Sequence, residues 1–225
     1  MSPTLRRLDS GTIPEPVTLA DGLTLIDYRL GVAYGSLDST PMLFGELRNT
    51  LDGIFQLPNV LITFLDKDGN ILGEESANGI VPFIEPTSTR PISAEFYDFN
   101  PLVDEYDTVS FSIDNEWPPT YDSYAPLPVT LENETRRDRS WTGKAVVTND
   151  TGAPIKNISA VAIFRDSRKR YAGYTWGALS STLATAKKAT IKLDVGVNSI
   201  VPYDPFQFLD DERYSVDVEA WHSLN

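Results

Sequence analysis

FGELRNTLDGIFQLPNVLITFLDKDGNILG, residues 44–73, decides the fold. Together with the preceding Leu43, it opens on a period-two pattern: Leu43, Gly45, Leu47 and Asn49 fall on one face of a strand, Phe44, Glu46 and Arg48 on the other. That alternation belongs to a strand half buried in a sheet. Asn49 then begins a turn-rich NTLDG stretch, where a short amide can bond nearby backbone and tolerate a left-handed conformation. Val60–Leu65 is a nearly continuous apolar strand, and Asp68-Gly69 supplies the dipeptide favoured in tight hairpins before Ile71-Leu72 begins the return.

The pattern comes back in WTGKAVVTNDTGAPIKNISAVAIFRDSRKRYAG, residues 141–173. Gly45, Leu47, Asn49, Phe64, Asp66 and Gly73 meet Ala145, Val147, Asn149, Phe164, Asp166 and Gly173, each 100 residues on. Both copies continue with a period-two strand (Ile92, Ala94, Phe96; Ile191, Leu193, Val195), an acidic loop and a last alternating strand (Val109, Phe111, Ile113; Tyr214, Val216, Val218). Short strands, Gly/Pro/Asn/Asp turns and no helical period predict an all-β protein of two tandem antiparallel β-sandwich domains, related by an internal repeat of about 100 residues. Ala178–Lys188, ALSSTLATAKK, is the one stretch that reads equally as helix or as extended chain.

Around these copies, residues 1–20 read as a linker interrupted by Pro3, Pro14 and Pro16. A first strand is expected at Leu23–Leu30. DNEWPPTYDSYAPLP, residues 114–128, is too proline-rich for a central strand and reads as a connection, with the boundary near Ala125. The expected domains are therefore residues 21–125 and 126–225.

Composition narrows the chemistry. A chain of 225 residues with 41% hydrophobic and 23% charged residues can bury a core in each of two domains. It has no cysteine, so disulfides, thiolate ligands and cysteine nucleophiles are excluded. Its one histidine, His222, sits three residues from the C-terminus, a poor place for the base of a nucleophilic triad. No apolar run approaches the ~20 residues of a membrane-spanning helix, and no signal-like hydrophobic core opens the chain. The net charge of −13 argues against nucleic acid as a partner. It is unevenly divided: through Ala125 there are 6 Lys+Arg against 20 Asp+Glu, and from Pro126 onward 13 against 12.

The G-x-L-x-N strand, turn, Asn-Val and apolar strand closed by Asp before an Asp-Gly hairpin resemble the FxLYD family of bacterial domains. The name positions read Ile62-Thr63-Phe64-Leu65-Asp66 in the first copy and Ala162-Ile163-Phe164-Arg165-Asp166 in the second. The likeness covers roughly residues 42–98 and 141–195. It implies small immunoglobulin-like β-sandwiches, commonly in exported or surface proteins, and it transfers no catalytic residues. An extracytoplasmic, cell-envelope location follows as an expectation of the resemblance.

Asp66-Lys67-Asp68-Gly69-Asn70 offers oxygen ligands, but Gly69 comes too early for a calcium-binding helix–loop–helix, and a hairpin turn accounts for all five residues. Asp104, Glu105, Asp107 and Asp210, Asp211, Glu212 occupy corresponding loops. Such repeated clusters fit a solvated surface, a weak calcium site at a sandwich end, or, least well, the paired carboxylates of a glycosidase. Trp117, Tyr121, Tyr124, Tyr171, Tyr174 and Trp176 are aromatics for packing or for stacking on a partner. Arg168, Lys169 and Arg170 turn the second hairpin tip basic where the first is acidic. With Trp176 they are the candidate partner-binding residues, for a protein or an anionic polysaccharide of the envelope; a solvated, pairing-resistant turn is the alternative. Asn133, Asn149 and Asn157 match the N-glycosylation pattern. The expectation is a non-enzymatic binding or spacer module without a cofactor; its rivals are a carboxylate-dependent polysaccharide hydrolase and a purely structural spacer.

Overall fold

The computed structural model describes residues 4–6, 14–34, 39–102, 104–113, 123–137, 140–166, 168–195, 199–200 and 214–224. The chain divides into two compact units, Met1–Ala33 with Ser39–Tyr121, and Tyr34–Asp38 with Asp122–Asn225. Both are built of strands, and no helix among the described residues is long and apolar enough to cross a membrane.

The first unit holds β1 (Thr4–Arg6), β2 (Val17–Ala20), β3 (Leu23–Tyr34), β4 (Ser39–Asn49), β5 (Phe55–Gln56), β6 (Val60–Leu65), β7 (Ile71–Gly79), β8 (Phe83–Ile84), β9 (Thr89–Glu95) and β10 (Thr108–Ile113). Eight of them form one sheet in the order β1-β10-β6-β7-β9-β4-β3-β2, and β5 pairs with β8. The sheet curls into a near-closed barrel because β7 changes partner along its length. Val60 faces Ala77 across β6–β7, whereas Asn78 and Gly79 pair with Ser93 and Ile92 of β9. Inward residues alternate as the period-two reading requires: Val60, Ile62 and Phe64, then Val109 and Phe111, then Leu43 and Leu47, all fully buried in one core.

The second unit holds β11 (Tyr124–Pro126), β12 (Val129–Arg137), β13 (Ser140–Thr148), β14 (Ile158–Arg165), β15 (Tyr171–Leu179), β16 (Lys188–Asp194), β17 (Ser199–Ile200) and β18 (Ser215–Ser223). Here the strands stay in two sheets, β11-β18-β14-β15-β17 and β12-β13-β16. A side-chain bond from the Thr175 hydroxyl to the Asp194 carbonyl joins β15 to β16. Trp141, Ala145, Val147, Ile158, Ala160, Ala162, Phe164 and Leu193 fill the core between the sheets.

The pairings of the two units correspond closely. Gly45 faces Ile92 and Ala145 faces Ile191. Phe64 is flanked by Gly73 and Val109, Phe164 by Gly173 and Val216, and both hairpins shift register immediately after the phenylalanine.

Three stretches differ from expectation, and the structure decides a fourth that the sequence left open. Residues 1–20 contain two strands rather than a linker alone. Thr4, Leu5 and Arg6 pair with Ser110, Val109 and Thr108, and Val17 enters the core immediately beyond Pro16. In β3 the buried positions pass from Leu23 and Leu25 to Tyr28 and Leu30, because Asp27 adopts φ 48 and shifts the alternation by one residue. Ala178–Lys188 is not helical: it runs from the end of β15 through an isolated bridge of Leu183 to Ile155 and a turn at Thr185-Ala186, with Ala186 at φ 57, into β16. Tyr124–Pro126 pairs with β18 as an edge strand, where Pro126 can be accommodated, so a cut at Ala125 would divide β11.

Candidate binding surfaces

The two hairpin tips share one backbone design. Asp66 Oδ1 accepts the Asp68 and Asn70 amides at 2.9 and 2.8 Å, and its Oδ2 accepts Asn70 Nδ2 at 2.8 Å. Asp166 Oδ1 accepts the Arg168 and Arg170 amides at 2.9 and 3.0 Å, and its Oδ2 accepts Arg170 Nε at 2.9 Å. Both aspartates thus hold their own turns, as short side chains readily do. Both carboxyls lie below the usual carboxylate range. For Asp66 the cause is chiefly the Asn70 side-chain bond, then the backbone amides. For Asp166 burial pushes upward, and the Arg170 bonds and charge with the Arg168 amide outweigh it.

What the turns display differs. Gly69 occupies the left-handed position at φ 84 in the first tip and Lys169 at φ 65 in the second. Of the three candidate cations, Arg170 is ion-paired to Asp166 at 2.7 Å and Lys169 Nζ donates to Ser215 Oγ at 3.1 Å. Arg168 is exposed, and its side chain has no hydrogen-bond or ion-pair partner among the described residues. Trp176, 45% exposed, lies six residues beyond Arg170 on β15, roughly 20 Å along an extended strand. The tip and the indole therefore do not form one site.

The acidic loop of the first unit is a folded turn. Asp104 Oδ2 accepts the Asn100 amide at 2.8 Å, and Tyr106 is buried between exposed Glu105 and Asp107 with its ring 4.9 Å from Phe64. Asp210, Asp211 and Glu212 lie outside the described residues, as do Trp117 and Tyr121. Among the described residues there is no group of three or more His, Cys, Asp or Glu placed to hold a metal ion. Tyr171 is buried and Tyr174 half buried. His222 is buried within β18, its ring Nδ1 3.0 Å from the Ser223 carbonyl.

Asn149 is fully buried and has a structural task. Its Nδ2 donates to the carbonyls of Ala153 and Leu183 at 2.8 and 3.0 Å, and its Oδ1 accepts the Thr151 amide at 3.1 Å. Asn49 does the same with Gly53, Glu85 and Leu51. Asn133 and Asn157 are exposed, with φ 52 and 51.

Sequence reasoning missed two groups. At the β12 bulge, Glu134 Oε1 accepts Trp141 Nε1 at 3.0 Å and pairs with Arg136 at 2.7 Å, and the Arg136 guanidinium sits 4.0 Å from the Tyr214 ring centroid. Burial, with Glu134 adding and Arg136 opposing, pushes the Tyr214 hydroxyl up to about 12. The bulge between Glu132 and Thr135 creates this cluster, and bulges leave little trace in sequence. The second group surrounds Tyr97, at 74% the most exposed large hydrophobic among the described residues, whose hydroxyl donates to Glu95 Oε2. The acidic, aromatic sequence Glu95-Phe96-Tyr97-Asp98 was its available signal.

No protein-family model matches the chain, and no curated protein matches it. Among solved structures, a β-glucuronidase from glycoside hydrolase family 2 overlaps 77% of this chain at 10% identity with a TM-score of 0.22. The chain spans 22% of that enzyme's length.

Proposed function

We propose that this chain is a non-catalytic binding module of two immunoglobulin-like β domains, the first with its strands joined into a near-closed barrel and the second a two-sheet sandwich, copies of one FxLYD-like unit, working outside the cytoplasm at a cell envelope. The observation that carries the reading is the pair of hairpin tips. The turn-forming bonds of Asp66 and Asp166 coincide, while the display changes from Lys67-Asp68-Gly69-Asn70 to Ser167-Arg168-Lys169-Arg170. A constant turn carrying variable side chains suits recognition, because rigid scaffolds commonly position functional loops. The matched strand pairings support common descent of the two units. The carboxylates of Asp66, Asp104, Glu134 and Asp166 all serve local structure, which favours binding over hydrolysis.

An anionic polysaccharide is the partner class that Arg168 fits, through salt-sensitive attraction. The test is retention of the protein on immobilised polygalacturonate at low and high salt, with Arg168→Ser beside the parent. Retention that falls with salt and with the substitution supports the reading. Equal retention of both proteins removes the role of Arg168. Release of reducing ends that depends on pH and disappears on neutralising a single carboxylate overturns the non-catalytic reading in favour of a hydrolase.

A further inference from the structure

Tyr97 follows β9 in the first unit and stands between a buried anchor, Phe96, and a partly buried one, Phe99. Phe96 is 4% exposed and packs edge-on against Phe64 at 5.3 Å. Phe99 lies 5.1 Å from the same ring and covers Gly73, where an added Cβ would come within 2.5 Å of Phe99 Cβ. The backbone is therefore fixed on both sides of a ring that stays 74% exposed. Its hydroxyl is tethered to Glu95, and Glu75, two residues beyond Gly73 on β7, shares the strand face that Phe99 covers and adds a second carboxylate that holds the hydroxyl proton. A large ring held outward makes no contribution to the core.

The surrounding sequence is strongly acidic. From Asp68 to Asp107 there are nine carboxylates and one cation, Arg90. Arg90 is buried at 7% exposure and committed to Glu85 at 2.9 Å, with its guanidinium over Phe83. The ring thus combines a π face with flanking carboxylates, the complement of a planar cation.

We propose that Tyr97, Glu95 and Glu75 form a docking point for a guanidinium, supplied by an arginine-bearing segment of a partner protein. Arginine suits it better than lysine, because a guanidinium can lie over the ring while its edge donates to a carboxylate. The contact goes beyond the hairpin-tip reading, since it uses the first unit and a partner of opposite charge.

The experiment uses the full chain with tetra-arginine and tetra-lysine peptides as probes, measured by calorimetry and by amide shifts in ¹⁵N spectra. Tyr97→Ala should weaken tetra-arginine binding about threefold, the worth of an exposed cation–π contact, while Tyr97→Phe keeps most of it. Glu75→Gln with Glu95→Gln should weaken binding severalfold, and more than a control pair that removes the same charge elsewhere, Asp68→Asn with Glu105→Gln. Shifts should centre on residues 95–98, and tetra-lysine should bind less tightly. These side chains are exposed or half exposed, and unchanged melting temperatures would verify folding. Equal losses in the two charge-neutralised pairs, binding indifferent to Tyr97→Ala, or no measurable binding at low salt would each overturn the proposal.

Discussion

Replacing Asn149 with alanine tests how the second unit is held together. The side chain is fully buried and makes four hydrogen bonds: two from Nδ2 to Ala153 O and Leu183 O, and two accepted by Oδ1 from the Thr151 amide and hydroxyl. At about 0.5–1.5 kcal/mol each, they sum to roughly 4 kcal/mol. The sum must be discounted, because Leu183 O keeps the Ile155 amide at 3.0 Å, and Thr151 and Ala153 are exposed enough for water to replace what they lose. A net loss of about 3 kcal/mol is expected. Asn49→Ala removes three bonds, and Glu85 O retains the Ser88 hydroxyl at 2.8 Å, so about 2 kcal/mol is expected there. Urea unfolding followed by tryptophan fluorescence and circular dichroism measures both, and a constant denaturant slope would show that the unfolded state is unchanged. Asn149→Asp provides a second arm: it keeps the shape, loses both donors and sets a carboxylate against two carbonyls. It should cost at least as much as alanine at neutral pH. A loss below about 1 kcal/mol for Asn149→Ala, or an aspartate variant as stable as the parent, would refute the assignment of this side chain as the organiser of the loop.

The left-handed tip positions predict opposite effects in the two units: Gly69→Ala should cost about 1 kcal/mol and Lys169→Gly should gain about 0.5–1 kcal/mol, read as melting-temperature shifts. No atom lies within 4 Å of a Cβ added at Gly69, so the loss there would be one of backbone conformation alone. Because the Asp66 and Asp166 carboxyls are depressed in the folded chain, their stabilisation is present above the unfolded carboxylate value of ~3.9 and is lost as pH falls through the folded values. Asp166→Asn should therefore flatten the acid limb of a melting-temperature profile below about pH 4. At the other extreme, burial, then Glu15, pushes the Tyr28 hydroxyl up to about 12, so absorbance at 295 nm should show it ionising well after exposed tyrosines. Its contribution is intact below pH ~10 and declines as pH rises towards the folded value, an alkaline loss that Tyr28→Phe should reduce.

The legible parts of the fold were the local ones. Apolar alternation in Val60–Leu65 and the Asp-Gly pair at Asp68-Gly69 are written into consecutive residues, and the strand and hairpin form where those signals lie. Strand β1 was not legible, because its partner among the described residues is Thr108–Ser110, about a hundred residues away, and three residues carry no period of their own. The Asp27 shift in β3 was hidden for a similar reason: a left-handed aspartate leaves no mark on composition, yet it changes which side of the strand faces the core. At the candidate sites, sequence alone grouped Arg168, Lys169 and Arg170 by charge. The structure separates them, since Arg170 belongs to the Asp166 turn and only Arg168 is left without a side-chain partner among the described residues. The triplet Asn149-Asp150-Thr151 reads as a glycan acceptor in sequence, but its amide is consumed by backbone carbonyls.

The two units show how an equivalent set of strand pairings is closed in two ways. In the first, the last residues of β7 leave β6 and pair with β9, so backbone bonds run around the unit as one sheet. In the second, β15 remains on β14 to its end at Leu179, and Thr175 reaches the Asp194 carbonyl with a side chain instead. The position matched to Thr175 is Glu75, half buried opposite Ile62, and its carboxylate accepts the Ser76 amide. Closing the first sheet through the backbone relieves Glu75 of that bridging task. The route by which each unit joins its strands therefore decides which groups its seam requires, backbone amides and carbonyls of β7 and β9 in the first and the Thr175 hydroxyl in the second.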